Sequence, residues 1–278
     1  MKEKIVEKIL TLLAFSAIGL LLLITIFIFK EGFPVIIKTG LTDFLFSAKW
    51  APTKNHFGIL AMIISSLAVT FAAILMGVPL ALACAITLAE FCPPRLLVIL
   101  KPTIELLAGI PSVVYGFLGV ILLVPLIRDY LGGPGLSLLA ASMILAIMIL
   151  PTITSISIDA LQAVPLLYKE GALAMGATHW QAIRLVLLPA ARSGVVTAII
   201  LGMARAIGET MAVIMVAGNA LKIPVSLIDP VRTLTSTIAL EMGYSAGDHR
   251  TALFAAGIVL FIFIMALNIL ANLLMRKK

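Results

Sequence analysis

Long apolar runs separated by short polar segments are the main feature of this chain. The first run, from Ile9 to Phe29, is uncharged and long enough to cross a bilayer as a helix. The second run, residues 57–89, is longer than one membrane needs, and Gly77 and Pro79 are placed to kink it. Four further runs occupy about residues 103–127, 136–160, 193–217 and 251–275. The pattern predicts an all-α, polytopic membrane protein with six transmembrane helices.

The segments between these runs are predicted to be loops, and they suggest how the chain divides. No small-x-small cleavage site follows the first run, so we expect it to be a retained span rather than a signal peptide. The predicted loops are external at 30–56, 128–135 and 218–250 and internal at 90–101. We therefore expect residues 1–56 to form an N-terminal cytoplasmic tail, a first transmembrane helix and an external loop. Residues 57–278 then form a five-helix core.

Residues 164–192 are the longest polar interruption between the later spans. Pro165 suits the first turn of a helix, and Gly176 can supply the left-handed residue that ends one. Thr178 and Gln181 then have the spacing of a capping box, in which each side chain satisfies a free backbone group at the start of a second helix. The segment is predicted to be an elbow of two helices joined by a sharp glycine bend.

Composition and charge restrict the possible functions. The chain is 62% hydrophobic and 12% charged, so little sequence remains for a separate soluble domain. Its net charge of +7 is placed beside apolar spans, which indicates cytoplasmic loops and anionic lipid headgroups rather than nucleic acid. Lys and Arg are denser on the side that holds both termini, including Lys277 and Lys278. We therefore expect the termini and the elbow to be cytoplasmic.

Two residues in the fifth predicted span carry the clearest candidate chemistry. Arg205 and Glu209 are one helical turn apart and should share a face, which Ala198 and Gly202 extend with small side chains. A lone charge at the bilayer centre is costly, so the two should neutralise each other. Either the pair lines an anion pathway, with the guanidinium as an oxyanion ligand, or it is a packing clip between helices.

Three further groups of residues give weaker signals. Cys84 and Cys92 have no cluster of metal-type partners, so they are expected to be small buried residues, and no metal or cofactor is expected on this chain. In the third span, Gly109, Ser112 and Gly116 favour close helix packing over a gate. The loop residues Asn219, Asp229 and Arg232 are candidates for docking an external partner only because of their position.

The elbow resembles the EAA loop of ABC-transporter permeases, whose pattern is E-A-A, then G, then I-x-L-P at fixed spacing. The departures are Gly171, in place of the first Ala, and Val186, in place of Ile. The matching positions are Glu170, Gly171, Ala172, Gly176, Val186, Leu188 and Pro189. The resemblance implies a cytoplasmic elbow that sits in a cleft of an ATP-hydrolysing subunit and carries its motion into the membrane. An ordinary surface helical hairpin would have the same local pattern.

Three segments together are similar to the PstC-type permeases of bacterial phosphate-specific ABC importers. They are RAIGETMAVIMVAGN (Arg205–Asn219), LLAGIPSVVYGF (Leu106–Phe117) and the elbow. The resemblance implies a type I ABC importer permease fold in the bacterial inner membrane, inorganic phosphate as substrate, and Arg205, Glu209 and Thr210 along its pathway. It also implies three kinds of partner: a PstA-type permease, two copies of a PstB-type ATPase and a PstS-type phosphate-binding protein.

The chain itself is not expected to be an enzyme. It has no G-x-x-x-x-G-K-[ST] phosphate loop, so ATP and Mg would be used by the partner ATPase. His56, His179 and His249 fall in predicted loops, which argues against an intramembrane enzyme. The sequence is also compatible with a permease for sulfate, molybdate or phosphonate, and with a membrane scaffold that senses phosphate without carrying it.

Overall fold

The computed structural model describes residues 2–276, so Lys277 and Lys278 of the predicted basic tail lie outside the described residues. These residues form two compact units, one made of residues 2–60 and 237–261 and the other of 61–236 and 262–276. The helices are α1 Lys2–Thr39, α2 Leu41–Phe46, α3 Leu60–Ile86, α4 Pro94–Ala108, α5 Ser112–Leu118, α6 Val124–Leu131, α7 Leu138–Gln162, α8 Leu166–Ala174, α9 His179–Ala182, α10 Leu188–Ala190, α11 Arg192–Gly208, α12 Met211–Val216, α13 Leu234–Glu241 and α14 Asp248–Arg276.

In the first unit, α1 is longer than the sequence predicted. It continues through Pro34 to Thr39, so the first ten residues of the predicted loop 30–56 are helical. The reason is tertiary: Gly32 lies against the backbone of Phe254 and Ala255 in α14, where a Cβ atom would be 2.7 Å from the nearest atom. Packing against α14 therefore keeps the polar end of α1 helical, and the predicted loop is wrong there.

A small hairpin follows α2 in the same unit. Strands β1 (Trp50–Ala51) and β2 (His56–Phe57) pair antiparallel. Trp50 is buried, and its Nε1 donates to Glu241 Oε2 over 2.9 Å. The same carboxylate oxygen is 2.8 Å from His249 Nε2. His249 lies in the first turn of α14, so the prediction that it lies in a loop is wrong.

In the second unit, α3 runs without interruption past Gly77 and Pro79 and continues as a π-helical turn, Thr87–Phe91. A Cβ atom on Gly77 would be 3.1 Å from the carbonyl oxygen of Ala146 in α7. This glycine therefore allows α3 and α7 to approach closely, where the sequence had suggested only a kink.

The predicted inner loop 90–101 is mostly helix α4, and this prediction is wrong. Pro94 occupies the first turn, where proline is tolerated. Leu97, Leu100 and Ile104 form a helical stripe packed on a small buried cluster that includes Ile158 of α7. The third span is consequently broken at residues 109–111 and resumes as α5, a π-helical turn Gly119–Leu123 and α6.

Helix α7 is the centre of the second unit, and it confirms the span predicted at 136–160. The Ser137 side chain caps it by accepting a hydrogen bond from the Ala140 N–H. Its apolar residues form the core with α3, α5, α11 and α12. Gly202 of α11 is close to Ile153, and Gly116 of α5 is close to Ala212 and Met215 of α12. The close packing predicted for Gly116 is confirmed.

The described residues contain six candidate spans if two helices joined at a sharp bend are counted as the fifth span. Five of the described helices are long and apolar enough to cross a membrane, and the pair His179–Ala190 and Arg192–Gly208, bent by 71°, passes the same test only when it is counted together. The predicted fifth span, 193–217, does not continue as one helix, because α11 ends at Gly208 and α12 begins at Met211. The predicted loop 218–250 contains helix α13 and a bridge between Gly218 and Val231.

Candidate functional site

The first half of the elbow ends as the sequence predicted. Gly176 has a φ of 85°, the left-handed conformation that favours glycine. Its N–H donates to the Leu173 carbonyl over 3.0 Å, and the Ala177 N–H donates to the Ala172 carbonyl over 3.1 Å. These two bonds are those of a Schellman motif, which satisfies the last carbonyl groups of α8 and reverses the chain.

The second half begins with the predicted capping box. The Gln181 N–H donates to Thr178 Oγ1 over 3.3 Å, and the Thr178 N–H donates to Gln181 Oε1 over 2.8 Å. A π-helical turn, Ile183–Leu187, and then α10 lead to the 71° bend into α11. Both halves of the elbow are therefore defined by local hydrogen bonds at their inner ends.

The elbow presents a largely apolar, exposed surface. Within the motif, Glu170, Gly171 and Pro189 are exposed, whereas Ala172, Val186 and Leu188 are half-buried. Large apolar side chains beside these residues are also exposed: Leu166, Leu167, Tyr168, Leu173, Met175 and Trp180. Several exposed apolar side chains beside a capped bend are available for contact with another protein.

Sequence reasoning missed a residue that contacts the elbow. Glu90, assigned only to the inner loop, lies in the π-helical turn after α3 with its side chain 9% exposed. Its Oε2 is 2.6 Å from Lys169 Nζ and 3.4 Å from His179 Nε2. No signal for this cluster is present in the sequence, because Glu90 is 79 residues away from Lys169.

Arg205 does not pair with Glu209, and the predicted shared face is wrong. Among residues 2–276, no ion pair joins the two side chains. The Arg205 guanidinium is exposed, and its Nη2 donates to the Ala108 carbonyl over 3.1 Å. The Tyr115 hydroxyl donates to the neighbouring Leu107 carbonyl over 2.9 Å. Arg205 thus caps the last turn of α4, where a positive charge is favoured by the helix dipole.

Glu209 has a different partner. Its backbone is extended, with φ −69° and ψ 134°, because α11 has ended at Gly208. Glu209 Oε1 accepts hydrogen bonds from the N–H groups of Thr210, at 3.0 Å, and Ala212, at 3.3 Å. The carboxylate therefore caps the N-terminus of α12, where negative charge is favoured. The Thr210 hydroxyl donates to the Gly208 carbonyl over 3.2 Å.

Small residues on α11 serve packing. Ala198 and Gly202 are buried, and a Cβ on Gly202 would be 2.7 Å from Ile153 of α7. This is the close helix approach that small side chains permit in a membrane. Cys84 and Cys92 are free and half-buried, and no group of metal-binding side chains occurs in the described part of the chain.

The loop after α12 contains the three candidate docking residues. Arg232 is buried at 9% exposure, so it is not available as a surface contact. Asn219 is half-buried and adopts a φ of 53°. Asp229 accepts hydrogen bonds from Lys222 Nζ and from the N–H groups of Val225 and Ser226. These bonds lower the pKa of the Asp229 carboxyl to about 2, and the bond from Lys222 has the largest effect.

Within the described residues, five candidate spans, one further bent pair and a capped elbow define an α-helical membrane protein. Comparison with known proteins agrees with this class. The family described as binding-protein-dependent transport system inner membrane component matches residues 77–278. The probable ABC transporter permease protein YqgH of Bacillus subtilis is 44% identical, over 95% of this chain and 89% of that protein. The phosphate transport system permease protein PstC of Mesorhizobium japonicum is 38% identical, over 84% of this chain and 78% of that one.

Solved structures resemble the fold. An inward-facing MetNI methionine ABC transporter chain superposes with a TM-score of 0.63 at 23% identity, covering 82% of this chain and 98% of that chain. A bacterial ABC transporter for alginate import superposes with a TM-score of 0.62 at 16% identity, covering 96% of both chains. The chain belongs to the inner membrane components of binding-protein-dependent transport systems and, among them, to the PstC-type permeases.

This membership confirms several expectations. The chain has the predicted all-α, polytopic, type I ABC importer permease fold and is a component of the inner membrane. It is the permease rather than the ATP-hydrolysing enzyme, and it functions with a separate ATPase and a second permease.

Proposed function

We propose that this chain is a permease subunit that moves inorganic phosphate into the cytoplasm by ATP-driven alternating access. The supporting observation for the substrate is the similarity to PstC relatives, which are named as phosphate transport permeases and align over 84% of this chain. The geometry that supports the coupling mechanism is the elbow, with its left-handed Gly176 and its exposed apolar side chains. Phosphate would be delivered from outside by a binding protein and released inside.

The specific partners follow from the same proposal. They are a PstA-type permease that shares the pathway, two copies of a PstB-type ATPase and a PstS-type phosphate-binding protein. ATP and Mg would be bound by the ATPase copies, and this chain would hold no cofactor. The lipids of the inner membrane would surround the exposed apolar faces of its spans.

The elbow is the proposed contact with the ATPase. Glu170, Gly171 and Ala172 lie on α8 near the exposed apolar side chains, so this helix would enter the ATPase cleft. The Gly176 bend would fix the angle between the two elbow helices. The second part of the motif, Val186, Leu188 and Pro189, lies next to the 71° bend and would pass the motion to α11.

The proposed pathway residues are Arg205, Glu209 and Thr210. Within the described residues, the exposed Arg205 guanidinium makes one hydrogen bond, to the Ala108 carbonyl. Its other N–H groups are therefore available to an oxyanion. Glu209 and Thr210 form the break between α11 and α12, where backbone polar groups can face a passing solute. Glu209 would act by shaping this break rather than by neutralising Arg205.

Topology and domain division complete the proposal. Both termini and the elbow would be cytoplasmic, as the bias of Lys and Arg indicates. Residues 1–56 would be an N-terminal part with the first helix, and residues 57–278 the permease core. The start of the family match at residue 77 supports a core within the later part.

Uptake into proteoliposomes tests the substrate. The chain is reconstituted with its partner permease, ATPase and binding protein, and uptake of phosphate, sulfate and molybdate is compared. We expect ATP-dependent phosphate uptake without uptake of sulfate or molybdate. Transport of another oxyanion would retain the permease and discard phosphate. No uptake despite ATPase binding would favour a phosphate sensor.

A further inference from the structure

The end of α3 contacts both helices of the elbow through two neighbouring residues. The half-buried Glu90 carboxylate is 2.6 Å from Lys169 Nζ in α8 and 3.4 Å from His179 Nε2 at the start of α9. The His179 ring stacks on Phe91, with the ring centroids 5.0 Å apart and an interplanar angle of 22°. Lys169 and His179 lie on opposite sides of Gly176, so a single turn after α3 holds both halves of the bend.

Burial makes this cluster stronger than an ordinary surface pair. The side chains of Glu90 and Lys169 are 9% and 24% exposed, whereas those of Asp159 and Lys101, which pair with each other, are 59% and 27% exposed. The two pairs therefore differ in the exposure of the carboxylate. Water screens exposed pairs, which contribute little, whereas breaking a buried pair leaves an uncompensated charge. The His179 Nε2 atom is also buried and makes no well-aligned hydrogen bond within the described residues, so the nearby carboxylate is its polar neighbour.

The chain connectivity shows why this contact matters. Along the backbone, the elbow is joined directly only to α7 before it and α11 after it. Helix α3 has no direct backbone connection to the elbow, so it follows the elbow through non-covalent contacts, and those of Glu90 and Phe91 reach the elbow directly. From Leu60 to Phe91 it is continuous helix, which is suited to carrying a displacement along its length.

We infer that Glu90 is a positioning residue that couples the elbow to α3, so that movement of the elbow shifts α3 together with α11. This inference rests on the proposed role of the elbow as the ATPase contact. Lys169 supplies the opposite charge, and the stacked His179 and Phe91 rings hold the second half of the elbow to the same turn.

Transport stoichiometry in the reconstituted complex tests the coupling. We expect Glu90→Gln to lower the phosphate imported per ATP hydrolysed at least threefold, with an unchanged KM for the phosphate-loaded binding protein. The charge swap Glu90→Lys with Lys169→Glu should recover at least half of the wild-type ratio. Asp159→Asn, which breaks an exposed pair, is the matched control and should have the wild-type ratio. A wild-type ratio in Glu90→Gln would overturn the inference, as would loss of assembly that the swap does not repair.

A distance measurement separates this inference from the identity of the substrate. Spin labels replace the exposed Met175 in the elbow and Phe71 in α3, in a chain with Cys84 and Cys92 changed to Ala, and distances are measured with and without a non-hydrolysable ATP analogue. In the wild type we expect one narrow distribution of label-to-label distances that nucleotide does not change. In Glu90→Gln we expect a broader distribution. Equal widths would overturn the coupling role. If phosphate uptake fails but this difference appears, only the proposed substrate is wrong.

Discussion

At the level of single residues, Arg205 and Glu209 show how charges are accommodated inside a membrane protein. They are four positions apart, yet each bonds to the backbone end of a different helix. Unsatisfied backbone groups at helix ends are strong partners where water is scarce, so they compete with side-chain pairing. The sequence identified both residues as notable, but their partners depended on where α4 and α11 end.

The exposed guanidinium of Arg205 leads to a prediction about transport. Arg205→Gln should reduce phosphate uptake about tenfold or more, because a charge-assisted hydrogen bond contributes about 1.5–3 kcal/mol. Arg205→Lys keeps the charge but lacks the planar fork, so uptake should be intermediate. Uptake by proteoliposomes measures the effect, and co-purification of the ATPase checks assembly. Wild-type phosphate uptake in Arg205→Gln would show that Arg205 serves only to hold α11 against the end of α4.

Asp229 leads to a prediction about the loop after α12. Asp229→Ala should speed tryptic cleavage after Lys222 several-fold, because it removes the pairing with Lys222 and the bonds to two backbone N–H groups. Asp229→Asn should be intermediate, since its amide oxygen can still accept the backbone bonds.

The pKa of Asp229 determines the pH dependence of that difference. Because its folded-state pKa is lowered from 3.8 to about 2, the carboxylate stabilises the loop above pH 3.8, and this contribution is lost as the pH falls towards 2. The difference between wild type and Asp229→Ala should therefore be constant from about pH 6 to 9. A difference that titrates within this range would contradict the assignment.

At the level of elements, local signals predicted the elbow and missed α4. Gly176, Thr178 and Gln181 determine helix ends through bonds to near neighbours, so the sequence contained all the information needed. The stripe of Leu97, Leu100 and Ile104 was also present, but a short loop between two spans was the simpler interpretation. The partner cluster that includes Ile158 explains why this segment is helical.

The bend of the elbow allows a prediction about coupling. Gly176→Val should uncouple ATP hydrolysis from uptake, because a β-branched residue at φ 85° costs about 1–2 kcal/mol and shifts the angle between α8 and α9. A Cβ atom there has no neighbour within 4 Å, so the effect comes from strain rather than a clash. Gly176→Asn tolerates the left-handed conformation and is the control. A wild-type ratio of phosphate imported to ATP hydrolysed in Gly176→Val would count against this role.

At the level of the whole molecule, the span count depends on how the broken helix is treated. Six apolar runs were predicted, and residues 2–276 contain five continuous candidate spans plus a pair bent by 71°. Helix α11 has 17 residues, about 25 Å at 1.5 Å per residue, which is short for a complete crossing. An even number of spans puts both termini on one side, and the lysine and arginine bias predicts which side that is.

Cysteine labelling tests this orientation with two highly exposed positions. Met175, in the elbow, and Val225, in the loop after α12, are 90% and 95% exposed. Each is changed to Cys in a chain whose Cys84 and Cys92 are Ala. A membrane-impermeant maleimide should label the Val225 position in intact spheroplasts and the Met175 position only after the membrane is opened. The reverse pattern would invert the predicted topology.

The sequence by itself determined the membrane class, the number of apolar runs and the elbow, because hydrophobic length and helix caps act within a few residues. The structure alone decided where α1 and α4 extend and where α11 stops. It also decided which partners Glu90 and Arg205 have. These features depend on contacts between residues far apart in the chain, such as Glu90 with Lys169 or Arg205 with Ala108. No local pattern specifies such a contact, because it forms only when packing brings distant helix ends together.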